Sequence, residues 1–498
     1  MTTNVSGSFG EGYATDAGAA GRPGLNLDNN FGGFFASDEF LGYRNSFIRG
    51  ESGAATRNFE AVGGENGFAL VFVKSCHDCR LFTSVNPKTW RTEKLKGIAL
   101  LQTLGTNQPH EMTSLDYYAI EELLTDEERA ARDRTRRFVE DEVMQELVAC
   151  HRAGKFPEHL RPRMGELRLF APYLKEHGCP GLSDTAYGLI MQELERADSA
   201  LRSEASVQGA LAIHAIYSFG TPEQRARWLP GLISGERVGC FALTEHGHGS
   251  DPGGMETRAK REGDHYILNG SKCWIGNAST ADVKVIWAKD DEGQVGGFVV
   301  EKGTPGFRAQ DIEGKFSLRM SRTSECWFEN CRVPAANRLA KASGLRAPLS
   351  CLSQARAGVT WGVIGAAIDC YETALAYAKS REQFGRPIGG FQLVQEKLVW
   401  MVQEITKAQL LALRLTRMME AGSAGPAQIS LAKRNNVWMA LECARKARDI
   451  LGAVGITDRY SVIRHLMNLE SVYTYEGTHD IHTLVIGHDI TGLDAFGG

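Results

Sequence analysis

The sequence predicts an α+β protein that is mainly α, with a compact β region set between two helical regions. Three observations predict it. Apolar residues recur at helical spacing from Leu115 to about Arg237. Over roughly 238–345 the spacing changes to strand-like alternation broken by turn residues. From 346 onward helical spacing returns in long segments joined by short loops, which points to an antiparallel bundle.

The first block, 1–111, reads as a Gly-rich extension, disordered or dispensable. GSFGEGYATDAGAAGRPGLNLDNNFGGFF has no sustained period, and the apolar run Phe68–Val73 is one candidate strand. Cys76-His77-Asp78-Cys79 contains a C-x-x-C pair, but no second pair lies near it to complete a tetrahedral site. Two incidental cysteines are the simpler reading, and no metal is expected. Globular signal begins at Thr113-Ser114-Leu115-Asp116, so Met112 is a candidate natural start.

The second block, 112–237, is helical. Thr125-Asp126-Glu127-Glu128 is a capping box that opens a charged helix reaching about Cys150. Its basic cluster, Arg129 to Arg137, reads as a solvated face. Thr221-Pro222-Glu223-Gln224 is a second box with Pro at the first helical position. In the third block, 238–345, HYILNGSKCWIGN carries Asn269-Gly270 between alternating residues, a hairpin signal. ADVKVIWAK and GGFVVEK form a second pair around an Asp-Asp-Glu-Gly turn, and SECWFENCRVP is a further strand. The fourth block, 346–498, holds the long helical segments and ends with a broken helix.

Composition excludes several classes of function. Of 498 residues, 43% are hydrophobic and 23% charged, an ordinary globular balance. A net charge of −4 gives no pull toward nucleic acid or an anionic membrane. No apolar run is long enough to span a bilayer, and the first stretch lacks the basic start and apolar core of a secretory signal. The 11 cysteines are scattered, as expected of reduced thiols. There is no P-loop, and no G-x-G-x-x-G in a strand-to-helix context. A nucleotide-type cofactor would bind without a Rossmann unit.

The stretch richest in chemistry is SVYTYEGTHDIHTLVIG, Ser471 to Gly487. An apolar helix breaks at Tyr475-Glu476-Gly477 and restarts behind Thr478, a plausible N-cap. Glu476 therefore stands at a helix-to-helix corner. It is either a solvated Glu at a helix end or a general base positioned by backbone. The segment TYEGTHDIH closely resembles the catalytic-glutamate segment of the acyl-CoA dehydrogenase family, in its glutaryl-CoA dehydrogenase branch. The resemblance implies an N-terminal helical domain, a middle β domain and a C-terminal four-helix bundle.

Four further segments carry the likeness. FALTEHGHGSDPGG resembles the family's flavin-contacting turn, with Thr244, Gly249 and Ser250 in matching positions; His246 stands where the family most often has Pro. In SKCWIGNAS, Trp274 and the backbone at Gly276 match residues that pack on the flavin, although Trp274 alone would read as core and many relatives have Thr in place of Gly276. Arg381, Phe384 and Gln392 match positions that reach the adenosine diphosphate half of FAD on a neighbouring subunit. DILGAVGI resembles a Gly-rich cofactor loop in which Gly452 is kept and Ala453-Val454 departs. Thr478 and Asp480 fall among the implied cofactor contacts.

What the resemblance implies for function is specific. Glu476 removes the C2 proton of an acyl thioester while flavin accepts hydride, and enclosure should raise its pKa. ELERADSALRSEASVQ resembles the segment that sets Arg against a substrate's distal carboxylate. This implies substrate roles for Arg202, Ser203, Glu195 and Tyr475. Arg356 matches a position near the thioester and CoA, a bundle-core salt bridge being the alternative. The implied reaction is oxidative decarboxylation of glutaryl-CoA to crotonyl-CoA and CO2, with FAD as cofactor and electron-transfer flavoprotein as acceptor. A homotetramer built as a dimer of dimers is also implied. Non-decarboxylating and short-chain monoacid dehydrogenases remain open, as does a non-enzymatic nucleic-acid-binding or scaffold relative. The expected location is cytoplasmic, with the mitochondrial matrix as the alternative.

Overall fold

The computed structural model describes residues 115–496 and the backbone of two strands in the N-terminal region. Those strands, β1 (Phe59–Gly63) and β2 (Ala69–Val73), pair antiparallel with Phe59 opposite Val73. The apolar run at Phe68–Val73 thus does form a strand. Cys76 to Cys79 lie outside the described residues. The elements below belong to a second compact unit, Thr113–Gly498.

Helix α1 (Asp126–Phe138) begins at the expected box, with Thr125 Oγ1 accepting from Glu128 N at 3.2 Å and Glu128 Oε2 from Thr125 N at 2.9 Å. Such a cap contributes about 1 kcal/mol. The helix does not run to Cys150. It widens into one π-type turn over Val139–Val143, with Met144 N donating to Val139 O at 3.0 Å, and resumes as α2 (Leu147–Ala153). Phe138, Val139, Val143 and Leu147 are all buried, and the extra residue keeps them facing the core. Nor is the Arg129–Arg137 cluster simply solvated. Arg136 Nε and Nη2 each donate at 2.9 Å to the carboxylate of buried Glu193.

Helices α3 (Leu160–Glu166), α4 (Asp184–Ala197), α5 (Ser199–Ser206), α6 (His214–Phe219) and α7 (Pro222–Ser234) complete the first helical region. The second capping box holds at Thr221, with Pro222 opening α7.

The β region is one sheet of β3 (Gly239–Ala242), β4 (Arg258–Glu262), β5 (His265–Gly276), β6 (Val283–Lys289), β7 (Val295–Glu301), β8 (Phe307–Asp311) and β9 (Thr323–Pro334). Its order is β3-β6-β4-β5-β9-β8, with β7 pairing on β6. The β6–β7 hairpin is as expected. Asn269-Gly270 is not a hairpin turn: both residues lie inside β5, and the β4–β5 hairpin turns six residues before Asn269, at Gly263-Asp264. Gly270 is required for another reason. A Cβ there would come within 2.7 Å of Thr257 Cα, and the β5–β9 register shifts beside it.

The C-terminal bundle comprises α8 (Arg346–Ser380), α9 (Gln392–Glu420), α10 (Pro426–Leu451), α11 (Val462–Thr474) and α12 (His479–Thr491). One apolar core joins the first helical region to a face of the sheet, and another fills the bundle. Tyr475 packs against both, which puts the α11–α12 corner on the seam between them. Among the described residues no helix is long and apolar enough to cross a membrane.

Candidate active site

The corner forms as the residue types predict. Tyr475 leaves α11 in an extended conformation, Glu476 takes a left-handed backbone with φ 54°, and Gly477 follows at φ 90°. Thr478 Oγ1 then accepts from Ile481 N at 3.1 Å and starts α12. A Cβ on Gly477 would meet His482 Nε2 at 2.9 Å and Arg356 Nη2 at 3.2 Å, so glycine is needed for space as well as for φ. A left-handed conformation at Glu476 costs about 1 kcal/mol and must be held. Two cations from other helices hold it by its carbonyls. Lys433 Nζ donates to Val472 O, Tyr475 O and Gly477 O at 3.0, 3.0 and 2.9 Å. Arg356 Nε donates to Glu476 O at 2.8 Å, so the bundle-core salt-bridge reading of Arg356 gives way to a backbone clamp.

Lys433 is the residue that sequence reasoning missed. Its signal was its place on the apolar face of α10, in register with the buried Ile429, Ala432, Asn436, Val437 and Ala440. Burial pulls its pKa down to about 7, with nearby Glu476 opposing. The three carbonyls match the three N–H bonds of the charged form.

The Glu476 side chain is poised as a base. Its Oε2 is buried without a hydrogen-bond partner. Burial raises its pKa above the usual carboxylate value, while Arg202, Lys433 and Arg356 pull it back and Glu195 pushes it further up. A base with a raised pKa is ionised above that pKa and loses the ability to accept a proton as pH falls through it. Lys433→Met removes one of the opposing cations, so the acid limb of kcat/KM should move up by about one pH unit. Lys433→Arg should leave that limb in place. An unshifted limb in Lys433→Met would show that the lysine acts on the backbone alone.

The far end of the cluster is built at the α4–α5 junction. Asp198 ends α4 in an extended conformation and caps α5 by accepting from Ala200 N at 2.8 Å. That break brings Glu195 and Arg202 together. Both are 0% exposed, and Arg202 Nε donates to Glu195 Oε2 at 2.8 Å. Arg202 Nη2 donates to Tyr475 Oη, and the guanidinium lies 5.4 Å from the Tyr475 ring centroid. A Cβ on Gly362 would lie 2.2 Å from Glu195 Oε2, so the glycine lets α8 pass the pair. Arg202 Nη1 and Glu195 Oε1 are buried and unpartnered. Ser203, beside them on α5, is also buried. The predicted set Glu195, Arg202, Arg356, Tyr475 and Glu476 is therefore brought together.

A second group gathers on the sheet. Cys273 N donates to Thr244 O at 2.9 Å, tying β5 to the turn after β3. Buried Lys272 donates to Leu243 O at 2.9 Å and to Glu245 Oε1 at 2.8 Å. Burial opposes charge on Glu245, yet Lys272, Glu256 N and Thr257 hold its pKa down to about 2. Trp274 is not core. It is 61% exposed with φ 61°, at the register shift between Lys272 and Ile275. A Cβ at Gly276 would sit 3.3 Å from Val207 Cγ2, so valine fills part of the space a side chain there would need. Gly249 and Ser250 are exposed on the turn, and Thr244 is half-buried.

Arg381 and Phe384 lie between α8 and α9, and Gln392 opens α9. All three are exposed, Phe384 at 93%. Gly452 ends α10 at φ 61° and ψ −134°, a conformation for glycine, and is exposed. Asp480 is exposed in the first turn of α12, and Thr478 is its cap.

Three family models match the chain in order: the acyl-CoA dehydrogenase N-terminal domain over 125–236, the middle domain over 240–331 and the C-terminal domain over 342–491. The chain belongs to the acyl-CoA dehydrogenase family. It is similar to the crystal structure of glutaryl-CoA dehydrogenase from Mycobacterium smegmatis, with 52% identity, TM-score 0.76, and coverage of 77% of this chain and 100% of that one. A second structure of a glutaryl-CoA dehydrogenase from that organism, in complex with FADH2, is 46% identical with TM-score 0.76, covering 77% and 99%. The short-chain specific acyl-CoA dehydrogenase of Clostridium acetobutylicum is 32% identical over 74% of this chain and 98% of its own length.

As an acyl-CoA dehydrogenase the chain uses FAD. The sheet group fits such a cofactor. A flat aromatic stands open at a bulge beside a turn of small and hydroxyl-bearing residues, and Val207 leaves only main chain to offer at Gly276.

Proposed function

We propose that this acyl-CoA dehydrogenase acts on glutaryl-CoA and releases crotonyl-CoA and CO2. The observation that carries the proposal is the buried Arg202. Its Nη1 has no partner in a place where a lone buried donor on a charged group is costly, and a carboxylate would satisfy it. Around Glu476, the cations Arg202, Lys433 and Arg356 outnumber the carboxylates Glu195 and Glu476, which suits an anionic guest.

In this reading Arg202, Ser203 and Tyr475 bind the distal carboxylate, and Glu195 orients the guanidinium. Arg356 and Lys433 hold the corner so that Glu476 faces C2 of the thioester and takes its proton there. Enclosure keeps water from that proton and strengthens each charge interaction. FAD, held by Thr244, Gly249, Ser250, Trp274 and Gly276, with Thr478 and Asp480 at the corner, supplies the hydride acceptor for C3. Once the distal carboxylate has left as CO2, Glu476 returns its proton to the terminal carbon. Arg381 and Phe384, exposed between α8 and α9, and Gln392 at the start of α9 serve a neighbouring subunit's cofactor within a homotetramer, and Gly452 at the end of α10 belongs to a further cofactor loop. Electron-transfer flavoprotein is the acceptor, and the compartment is cytoplasmic.

Turnover of glutaryl-CoA against butyryl-CoA, with CO2 measured, tests the reading. Preference for butyryl-CoA would favour a monoacid enzyme. Oxidation of glutaryl-CoA without CO2 would favour the non-decarboxylating reaction.

A further inference from the structure

The geometry points to a binding site for a divalent transition-metal ion, formed by His246, Cys273 and Glu325 beside the exposed Trp274. The three come from separate segments: the turn after β3, strand β5 and strand β9. One ligand atom from each lies within 4.8 Å of the others. His246 Nε2 is 3.1 Å from Glu325 Oε1, and Cys273 Sγ is 3.9 Å from the same oxygen.

Zinc binds sulfur at about 2.3 Å and nitrogen or oxygen at about 2.0–2.2 Å, which spaces tetrahedral ligands roughly 3.3–3.8 Å apart. The two separations to Glu325 fall on either side of that range, the His246–Cys273 separation is within 4.8 Å, and half-exposed His246 can swing to close the remainder. The donor set of imidazole, thiol and carboxylate selects a borderline-soft ion such as Zn2+ over Mg2+ or Ca2+. Three protein ligands leave the fourth position to water. Without an ion, His246 and the Cys273 thiol both face the same Glu325 oxygen, the Cys273 thiol donating to it.

Burial and the neighbouring Glu325 carboxylate raise the Cys273 pKa, so without an ion this residue is a thiol. Binding displaces its proton and should therefore strengthen as pH rises. The ion would pin the turn that carries Thr244 to two strands of the sheet. The site rests on these three side chains alone and is independent of the identity of the acyl thioester.

The test uses the FAD-loaded protein in a Cys76→Ser/Cys79→Ser background, so that the C-x-x-C pair contributes no zinc. After incubation with ZnCl2 and dialysis, about one zinc per chain should remain, and the zinc-treated protein should melt at a higher temperature than the untreated one. Cys273→Ser and, separately, the exposed-site change His246→Ala should each weaken retention by more than about 100-fold, beyond what loss of a mere partner of a ligand costs. Cys179→Ser should retain zinc in full. Retention well below one per chain, or retention unchanged in both His246→Ala and Cys273→Ser, overturns the proposal.

Discussion

Glu476→Gln is expected to lower kcat by about 10²–10⁴-fold while leaving FAD content and melting temperature close to those of the parent. The fold should tolerate the change because the corner is held by its backbone. Lys433 and Arg356 bind the carbonyls of residues 472, 475, 476 and 477, and none of those bonds uses the Glu476 side chain. Glutamine matches glutamate in shape and removes the cost of a buried carboxylate, yet it cannot take a proton. Mixed with substrate under anaerobic conditions, the variant should bind ligand and fail to bleach its flavin. Normal bleaching would end the assignment of Glu476 as the base.

Arg202→Met should have the second large effect, with a complication visible in the structure. Glu195 is 0% exposed and has Arg202 as its ionic partner. Removing the arginine alone strands a buried carboxylate, at about 3–5 kcal/mol of stability. The double variant Glu195→Gln/Arg202→Met avoids that and isolates the effect on substrate. Its kcat/KM for glutaryl-CoA should fall about 10³-fold, the loss of roughly 4 kcal/mol of charge-assisted binding to the distal carboxylate. Turnover of butyryl-CoA, which has no such carboxylate, should change by less than about 10-fold. Equal losses on both thioesters would place Arg202 in the scaffold and remove the diacid claim.

How much of this was legible in the sequence depended on whether the signal was local. Gly477 and Thr478 mark the corner by their own backbone preferences, and the boxes at Thr125 and Thr221 formed where four-residue patterns placed them. Tertiary packing decided the misses. Asn269-Gly270 has hairpin chemistry, but Thr257 lies against Gly270 and a longer strand runs through it. The helix expected to reach Cys150 widens at Val139–Val143 because burial of Phe138, Val139, Val143 and Leu147 outweighs uniform hydrogen bonding. Trp274 is open to solvent because a bulge turns it outward, which no pattern of alternation discloses. In the site, the pairing of Arg202 with Glu195 came from resemblance and not from spacing. Lys433 stands on the apolar face of α10, but its role depends on three carbonyls of the α11–α12 corner, which are distant in sequence.

The left-handed Glu476 has a consequence for laboratory evolution. Glycine at that position would relax the backbone by about 1 kcal/mol and remove a desolvated carboxylate as well. A screen that rewards heat tolerance alone would thus drift toward Glu476→Gly and return sturdier but inert proteins. Any programme to toughen this enzyme has to score turnover in every round.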